Sequence, residues 1–274
     1  MITTAESIHE LWRYRELFYF MAWRDIKVRY KQSVLGVLWA VIQPFATMIV
    51  FTLLFNKLAK IDGGGIPYPI FSYSALLPWT YFSMTVTAIG TSLVTNRDLL
   101  TKVYFPRTII PSSSAIRGLV DMGVASIMLV GMIVYYHFQT APPGQPEWSF
   151  QPTWALLLWP MLLIPLVMFT LGVGMIFAAL NVKYRDVRHA LPFFVQMGLF
   201  LTPVIYPTSR VPESLQGLIA LNPLCGIIES FRTALLAGEV NWPQLGTSLV
   251  VTAVVFCVGI LYFRKTERSF ADIV

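Results

Sequence analysis

The chain has 274 residues, 56% of them hydrophobic and 12% charged, with a mean hydropathy of +0.64. A soluble domain carries roughly 25% charged residues, so this composition excludes an ordinary soluble domain and points to several membrane spans of about 20 apolar residues each. The net charge of +6 fits Lys and Arg gathered at a cytoplasmic membrane face better than a nucleic-acid partner.

Met1 to Arg15 is polar and charged and has no apolar core, so no cleavable signal peptide is expected. From Ile8 to Lys31 the pattern predicts an amphipathic helix lying in the membrane interface. Its cations Arg13, Arg24, Lys27 and Lys31 recur at helical steps against Leu11, Phe18, Tyr19, Ala22, Ile26 and Tyr30, with Arg15, Asp25 and Arg29 as exceptions. Arg24, Lys27, Arg29 and Lys31 then give way at Val34-Leu35-Gly36 to an apolar run. That junction is expected where a transmembrane helix leaves the cytoplasmic face.

Six spans follow, at about 35–55, 70–93, 112–138, 154–180, 191–206 and 245–263. Pro44 is expected to kink the first. Gly63-Gly64-Gly65 reads as a turn; a phosphate-binding loop would need Gly-Lys-Ser/Thr, and Ile66-Pro67 follows instead. In span three Arg117 and Asp121 are four residues apart, share a face, and are expected to pair. The Pro-rich stretch 137–152 is an outer loop, and Asn181 to His189 a compact basic turn. Between Pro207 and Pro243 two half-length apolar segments, Leu215 to Leu221 and Leu224 to Leu236, are each too short to cross, which suggests a re-entrant or surface hairpin at 207–243.

With both termini cytoplasmic, fifteen Lys and Arg residues fall inside and four outside (Lys57, Lys60, Arg210 and Arg232), while Arg117 lies within a span. This agrees with the positive-inside rule. The fold class is therefore all-α: a polytopic membrane protein of six transmembrane helices, with an N-terminal interface helix and an outer re-entrant hairpin between spans five and six. A cytoplasmic segment 1–34 and tail 264–274 flank the membrane domain 35–263.

No catalytic constellation is in view. His9, His137 and His189 lie on different sides of the membrane in this topology, and Cys225 and Cys257 lack metal-like spacing. Asp121 is the single intramembrane acid, which disfavours a proton-coupled carrier. A transport subunit driven by another protein fits these features.

Four stretches carry a resemblance: Arg24 to Pro44 (RDIKVRYKQSVLGVLWAVIQP), Lys102 to Arg107 (KVYFPR), Asn181 to His189 running on to Pro203-Val-Ile-Tyr-Pro207, and Leu221-Asn-Pro-Leu224 with Glu229-Ser-Phe-Arg232. In order along nearly the whole chain, they resemble the ABC-2-type permeases that export O-antigen, teichoic acid and similar polysaccharides. The resemblance implies a bacterial inner-membrane half-transporter without cofactor of its own. It would comprise two copies of this chain and two ATPase subunits that bind ATP and Mg, and would move a polyprenyl-pyrophosphate-linked polysaccharide. By the same resemblance Asn96, Arg97, Asp98, Leu99, Leu100 and Lys102 form the helix that couples to the ATPase, and Asn222, Pro223, Glu229 and Arg232 belong to an outer gate. Arg24, Lys27, Arg29 and Lys31 could contact the substrate pyrophosphate, or equally lipid headgroups. Trp39, Phe45, Phe193, Phe200 and Tyr206 are candidates to stack on sugars in the conduit, although aromatics in spans also face lipid. The rivals are an ABC-2-type exporter of another lipid or drug, and a membrane enzyme acting on lipid-linked sugars, which would need paired acids or a metal site.

Overall fold

The computed structural model describes residues 13–31, 36–102, 105–139, 148–184, 186–236 and 238–267. The beginning of the expected surface helix (Ile8 to Trp12), the Pro142-Pro143-Gly144 stretch, Arg185 and the tail beyond Glu267 lie outside those residues. No strand occurs among the described residues. The helices are α1 (Arg15–Lys31), α2 (Leu38–Phe51), α3 (Tyr68–Thr95), α4 (Arg97–Lys102), α5 (Ile109–Phe138), α6 (Leu158–Lys183), α7 (Val187–Leu201), α8 (Glu213–Ala220), α9 (Pro223–Leu235) and α10 (Trp242–Glu267). A π-helical turn, Thr52–Leu58, prolongs α2, and a 3-10 turn, Trp154–Leu157, leads into α6.

Among the described residues, four helical stretches are long and apolar enough to cross a membrane: Leu38–Leu58, Ile109–Phe138, Trp154–Lys183 and Trp242–Glu267. The other two expected spans differ from these for separate reasons. Helix α3 has 28 residues, about 42 Å at 1.5 Å per residue, but is rich in Ser, Thr and Tyr. It solves this by burial, standing at the centre of the bundle against α2, α5, α6, α7 and α9. Several of its hydroxyls also fold back on the helix, Thr87 to the Ser83 carbonyl at 2.8 Å and Thr91 to the Thr87 carbonyl at 3.0 Å, so these donors are paired within the helix.

Helix α7 has 15 residues, about 22 Å against a hydrocarbon core of about 30 Å. The expected span 191–206 is therefore corrected at both ends. The helix begins earlier, at Val187, and stops at Leu201 because Thr202 precedes Pro203 and turns extended. Asn181 is not in a turn either. It lies in the last turns of α6, buried, with Nδ2 donating to the Gly90 carbonyl of α3 at 2.9 Å.

Close helix contact is made by small residues. Where α6 crosses α10, a Cβ built on Gly259 would meet the Gly172 carbonyl oxygen at 2.4 Å, so the two backbones touch as small-residue interfaces in membranes do. Two packed clusters result. The larger surrounds α3, with Ile70, Tyr73, Leu76, Leu166 and Phe231 fully buried; the smaller joins α1 and α4 to the ends of α3, α5, α6 and α10 through Met21, Leu93, Ile109, Ala178 and Phe263.

Helix α1 forms as expected, but its sides do not separate as the spacing suggests. Tyr14, Leu17, Phe18 and Met21 pack in the smaller cluster and Ala22 is buried, while Tyr19, Phe20, Trp23 and Val28 are exposed. Polar residues near its end, Arg29 and Tyr30, turn toward α5.

Candidate functional site

A cavity of about 530 Å³ lies between α2, α3, α5 and α7, within the range of 300–1,000 Å³ usual for ligand sites. Helix α3 lines it with Thr80, Ser83, Thr87 and Thr91, one stripe at three- and four-residue steps. Trp39 and Gln43 of α2 and Gln196 of α7 add polar or aromatic edges. Arg29 of α1 and Arg117 and Asp121 of α5 also lie on the wall.

These charges pair differently from the sequence expectation. Asp121 accepts from Arg29 Nε at 3.0 Å and from the Tyr30 hydroxyl at 2.5 Å. Arg117 has no ion pair to Asp121, and its buried Nε has no hydrogen-bond partner. The i,i+4 spacing does put Arg117 and Asp121 on one face, but α1 packs against α5 and brings competing donors to both carboxylate oxygens. Burial foremost, with the Asp121 hydrogen bond and charge behind it, pushes the Tyr30 phenol above its ordinary value of 10.0.

The four cations expected at a pyrophosphate have different surroundings. Arg24 is occupied: Nη2 donates to Asp25 Oδ1 at 2.8 Å and to Asn96 Oδ1 at 3.0 Å. Lys27 is exposed, with Nζ 5.3 Å from the Trp23 ring centre. Lys31 is exposed at the end of α1, and Arg29 alone of the four reaches the cavity.

The Arg24 bond also joins α1 to the short polar helix. Asn96 ends α3, its Nδ2 donating to the Ser92 carbonyl at 2.9 Å, and its own carbonyl accepts from the Leu99 and Leu100 amides that open α4. Leu99 and Leu100 pack on the smaller cluster while Arg97 and Asp98 are exposed. Lys102 closes α4, and its side chain lies outside the described residues. A six-residue helix too short to persist alone is thus anchored on one side and presents a charged face on the other.

Of the five aromatic candidates, Trp39 lines the cavity. Phe45 lines a second, apolar cavity of about 410 Å³ between α2 and α5. Phe193 and Phe200 are exposed on α7, away from the Pro192, Val195, Gln196 and Leu199 side that faces the cavity. The Tyr206 hydroxyl donates to the Phe200 carbonyl at 3.1 Å. The five do not form one surface within a single chain.

The residues expected at the outer gate all lie at or on α9, and Asn222 and Arg232 each bond to the segment 202–204. Asn222 caps α9 by accepting from the Leu224 amide at 3.1 Å, and its Nδ2 donates to Thr202 Oγ1 at 2.9 Å. Pro223 occupies the first turn, where its missing N–H costs nothing. Arg232 is buried, donating to Glu229 at 2.8 Å and to the Pro203 and Val204 carbonyls at 3.0 and 3.4 Å, with its guanidinium 3.7 Å from the Phe71 ring centre. Tyr68 of α3 donates to the Ile205 carbonyl at 2.8 Å. The carbonyls of Pro203, Val204 and Ile205, which lie outside any helix, are therefore each met by a side chain from α3 or α9. Among the described residues no group of three His, Cys, Asp or Glu could hold a metal ion.

Comparison with known proteins adds the family. The family model described as ABC-2 type transporter matches residues 16–236. The O-antigen export system permease protein RfbA of Myxococcus xanthus is 35% identical over 270 residues, covering 97% of this chain and 98% of that protein. The O-antigen export system permease protein RfbA of Klebsiella pneumoniae is 29% identical over 251 residues, covering 91% and 92%. The polysialic acid transport protein KpsM of Escherichia coli is 22% identical over 249 residues, covering 90% and 92%.

Proposed function

This chain belongs to the ABC-2 type transporter family, and from that premise we propose how it works as the membrane permease subunit of an ATP-driven polysaccharide exporter. The observation that carries the reading is the end-to-end likeness to O-antigen export permeases. The cargo is a surface polysaccharide linked to a polyprenyl pyrophosphate, moved across the bacterial inner membrane. Two copies of the chain assemble with two separate ATPase subunits, which supply the ATP and Mg site. The permease itself lacks a Gly-Lys-Ser/Thr loop.

In this arrangement α3 and α7 join the four apolar stretches to make six spans with both termini cytoplasmic. Helix α4 receives the movement of the ATPase through Asn96, Arg97, Asp98, Leu99, Leu100 and Lys102. Its leucines rest on the smaller core and Arg24 ties Asn96 to α1. A push on α4 therefore displaces α1 and the ends of α3 and α5 as a unit, which a loop without such anchors could not do. The cations of α1, Arg24, Lys27, Arg29 and Lys31, gather anionic headgroups at the cytoplasmic face. The cavity between α2, α3, α5 and α7 is one protomer's wall of the conduit, its hydroxyl stripe offering exchangeable hydrogen bonds to sugars while Trp39 offers a stacking face. Trp39, Phe45, Phe193, Phe200 and Tyr206 are assigned to the path as a set completed across two protomers. The Asn222, Pro223, Glu229 and Arg232 cluster, with α8 and α9 as a re-entrant hairpin, closes the outer end.

The test is co-expression with the cognate ATPase, followed by purification and reconstitution. The two are expected to co-purify, and a polyprenyl-pyrophosphate-linked glycan to stimulate hydrolysis. Robust ATP hydrolysis by the permease free of any partner would overturn the half-transporter reading.

A further inference from the structure

We propose that Arg117, with Arg29 beside it, forms a binding subsite for the phosphate group of a lipid at the α1 end of the cavity between α2, α3, α5 and α7. The inference rests on the lipid-linked cargo reading and adds to it a residue that the spacing assigns to an internal ion pair.

The charge arrangement points to an anion. Among the described residues, three charged side chains line the cavity, Arg29, Arg117 and Asp121, leaving one net positive charge. Asp121 is engaged by Arg29 at Oδ2 and by Tyr30 at Oδ1, so its one negative charge is matched by Arg29 and the positive charge of Arg117 remains. A buried polar atom without a partner is rare in native proteins and calls for an explanation. Of the five such side-chain atoms among the described residues, two belong to residues on this cavity wall, Arg117 Nε and Thr85 Oγ1. Helices α5 and α3 pack closely here: a Cβ on Gly118 would sit 2.2 Å from Thr85 Oγ1 and 3.0 Å from the Tyr81 ring. Glycine at 118 lets the helices approach, and the adjacent Arg117 lines the cavity without an ion pair to Asp121.

A guanidinium held this way can donate two parallel hydrogen bonds to phosphate oxygens, and Arg29 can share the charge without releasing Asp121. The Thr87 and Thr91 hydroxyls on the same wall add neutral contacts that do not select for charge. The cavity wall also contains Trp39 and Ala40 at the start of α2, which places the subsite where a headgroup would sit if its tail stayed in the bilayer.

The experiment uses the complete transporter with its ATPase in detergent, with lipid binding read by native mass spectrometry. Three probes are compared: a polyprenyl pyrophosphate, the corresponding polyprenyl alcohol, and inorganic pyrophosphate as a competitor. The unaltered complex is expected to retain the pyrophosphate lipid in preference to the alcohol, and inorganic pyrophosphate to displace it. Arg117→Gln is expected to weaken retention of the pyrophosphate lipid about tenfold, the loss usual for a charge-assisted hydrogen bond, while leaving the alcohol unchanged; Arg117→Lys restores part of it. Binding of the pyrophosphate lipid that Arg117→Gln leaves intact overturns the subsite alone. Failure of the unaltered complex to prefer the pyrophosphate lipid overturns the cargo reading and the subsite together. If Arg117→Gln does not assemble, the competition decides on the unaltered complex: displacement by inorganic pyrophosphate supports the subsite, and its absence overturns it.

Discussion

Replacing Arg232 with methionine tests whether the cluster at the end of α9 holds the bundle together. The guanidinium is 3% exposed and its partner Glu229 is 19% exposed. Methionine keeps much of the side-chain bulk but leaves the carboxylate without its cation and the Pro203 and Val204 carbonyls without their donor. Breaking one side of a buried pair costs about 3–5 kcal/mol, and the partial exposure of Glu229 puts this case at the lower end, about 3 kcal/mol. At roughly 2–4 °C per kcal/mol for a chain of this size class, Tm should fall by about 6–12 °C. Cys225 supplies the assay: it is buried in α9, whereas Cys257 is exposed. In a Cys257→Ser background a thiol-reactive dye therefore labels only when α9 loosens, and the labelling midpoint on heating reads the clamp directly. Arg232→Met is expected to lower that midpoint by the stated amount, and adding Glu229→Leu to recover part of it because no unpaired charge then remains. A shift under about 2 °C, the scale of a surface substitution, would refute the clamp.

Other perturbations address the remaining joints. Gly259→Val puts atoms where the Gly172 carbonyl lies and should cost about 1–3 kcal/mol by prising α6 from α10, seen as a lower midpoint in the same thiol assay. Replacing residues 98–102 by a Gly-Ser linker should leave ATP hydrolysis running while export stops; unchanged export would remove α4 from the coupling path. Tyr30→Phe deletes the hydrogen bond to Asp121 and should cost about 1–2 kcal/mol. Because the Tyr30 phenol is raised from 10.0, it stays protonated through neutral pH. Its contribution is present in full below the unfolded value of 10.0 and fades only as pH rises beyond that. The loss on Tyr30→Phe should therefore be equal at pH 6 and pH 8, measured as thermal midpoints; a difference between the two would contradict this assignment.

What was legible in the sequence was what hydropathy and local stereochemistry decide. The long apolar runs at 38–58, 109–138, 154–183 and 242–267 are helical in the structure, because in hydrocarbon each backbone group must find its partner within the segment. The turn at Gly64 and Gly65 has the positive φ values, 68° and 85°, that glycine tolerates. Asn222-Pro223 separates α8 and α9 because asparagine caps and proline opens a helix.

Only the tertiary structure decided which polar groups meet. The i,i+4 rule put Arg117 and Asp121 on one face of α5, yet the approach of α1 gave the carboxylate to Arg29 and Tyr30. Arg24 looked like one more headgroup cation, and its bond to Asn96, 72 residues away, joins α1 to the start of α4. Arg232 read as an outer charge and is buried among carbonyls that Pro203 freed by ending α7. Hydropathy is a sum over neighbours in the chain, so one sequence suffices to read it; an ion pair is a choice among all donors in reach, and those are known only when the helices have packed.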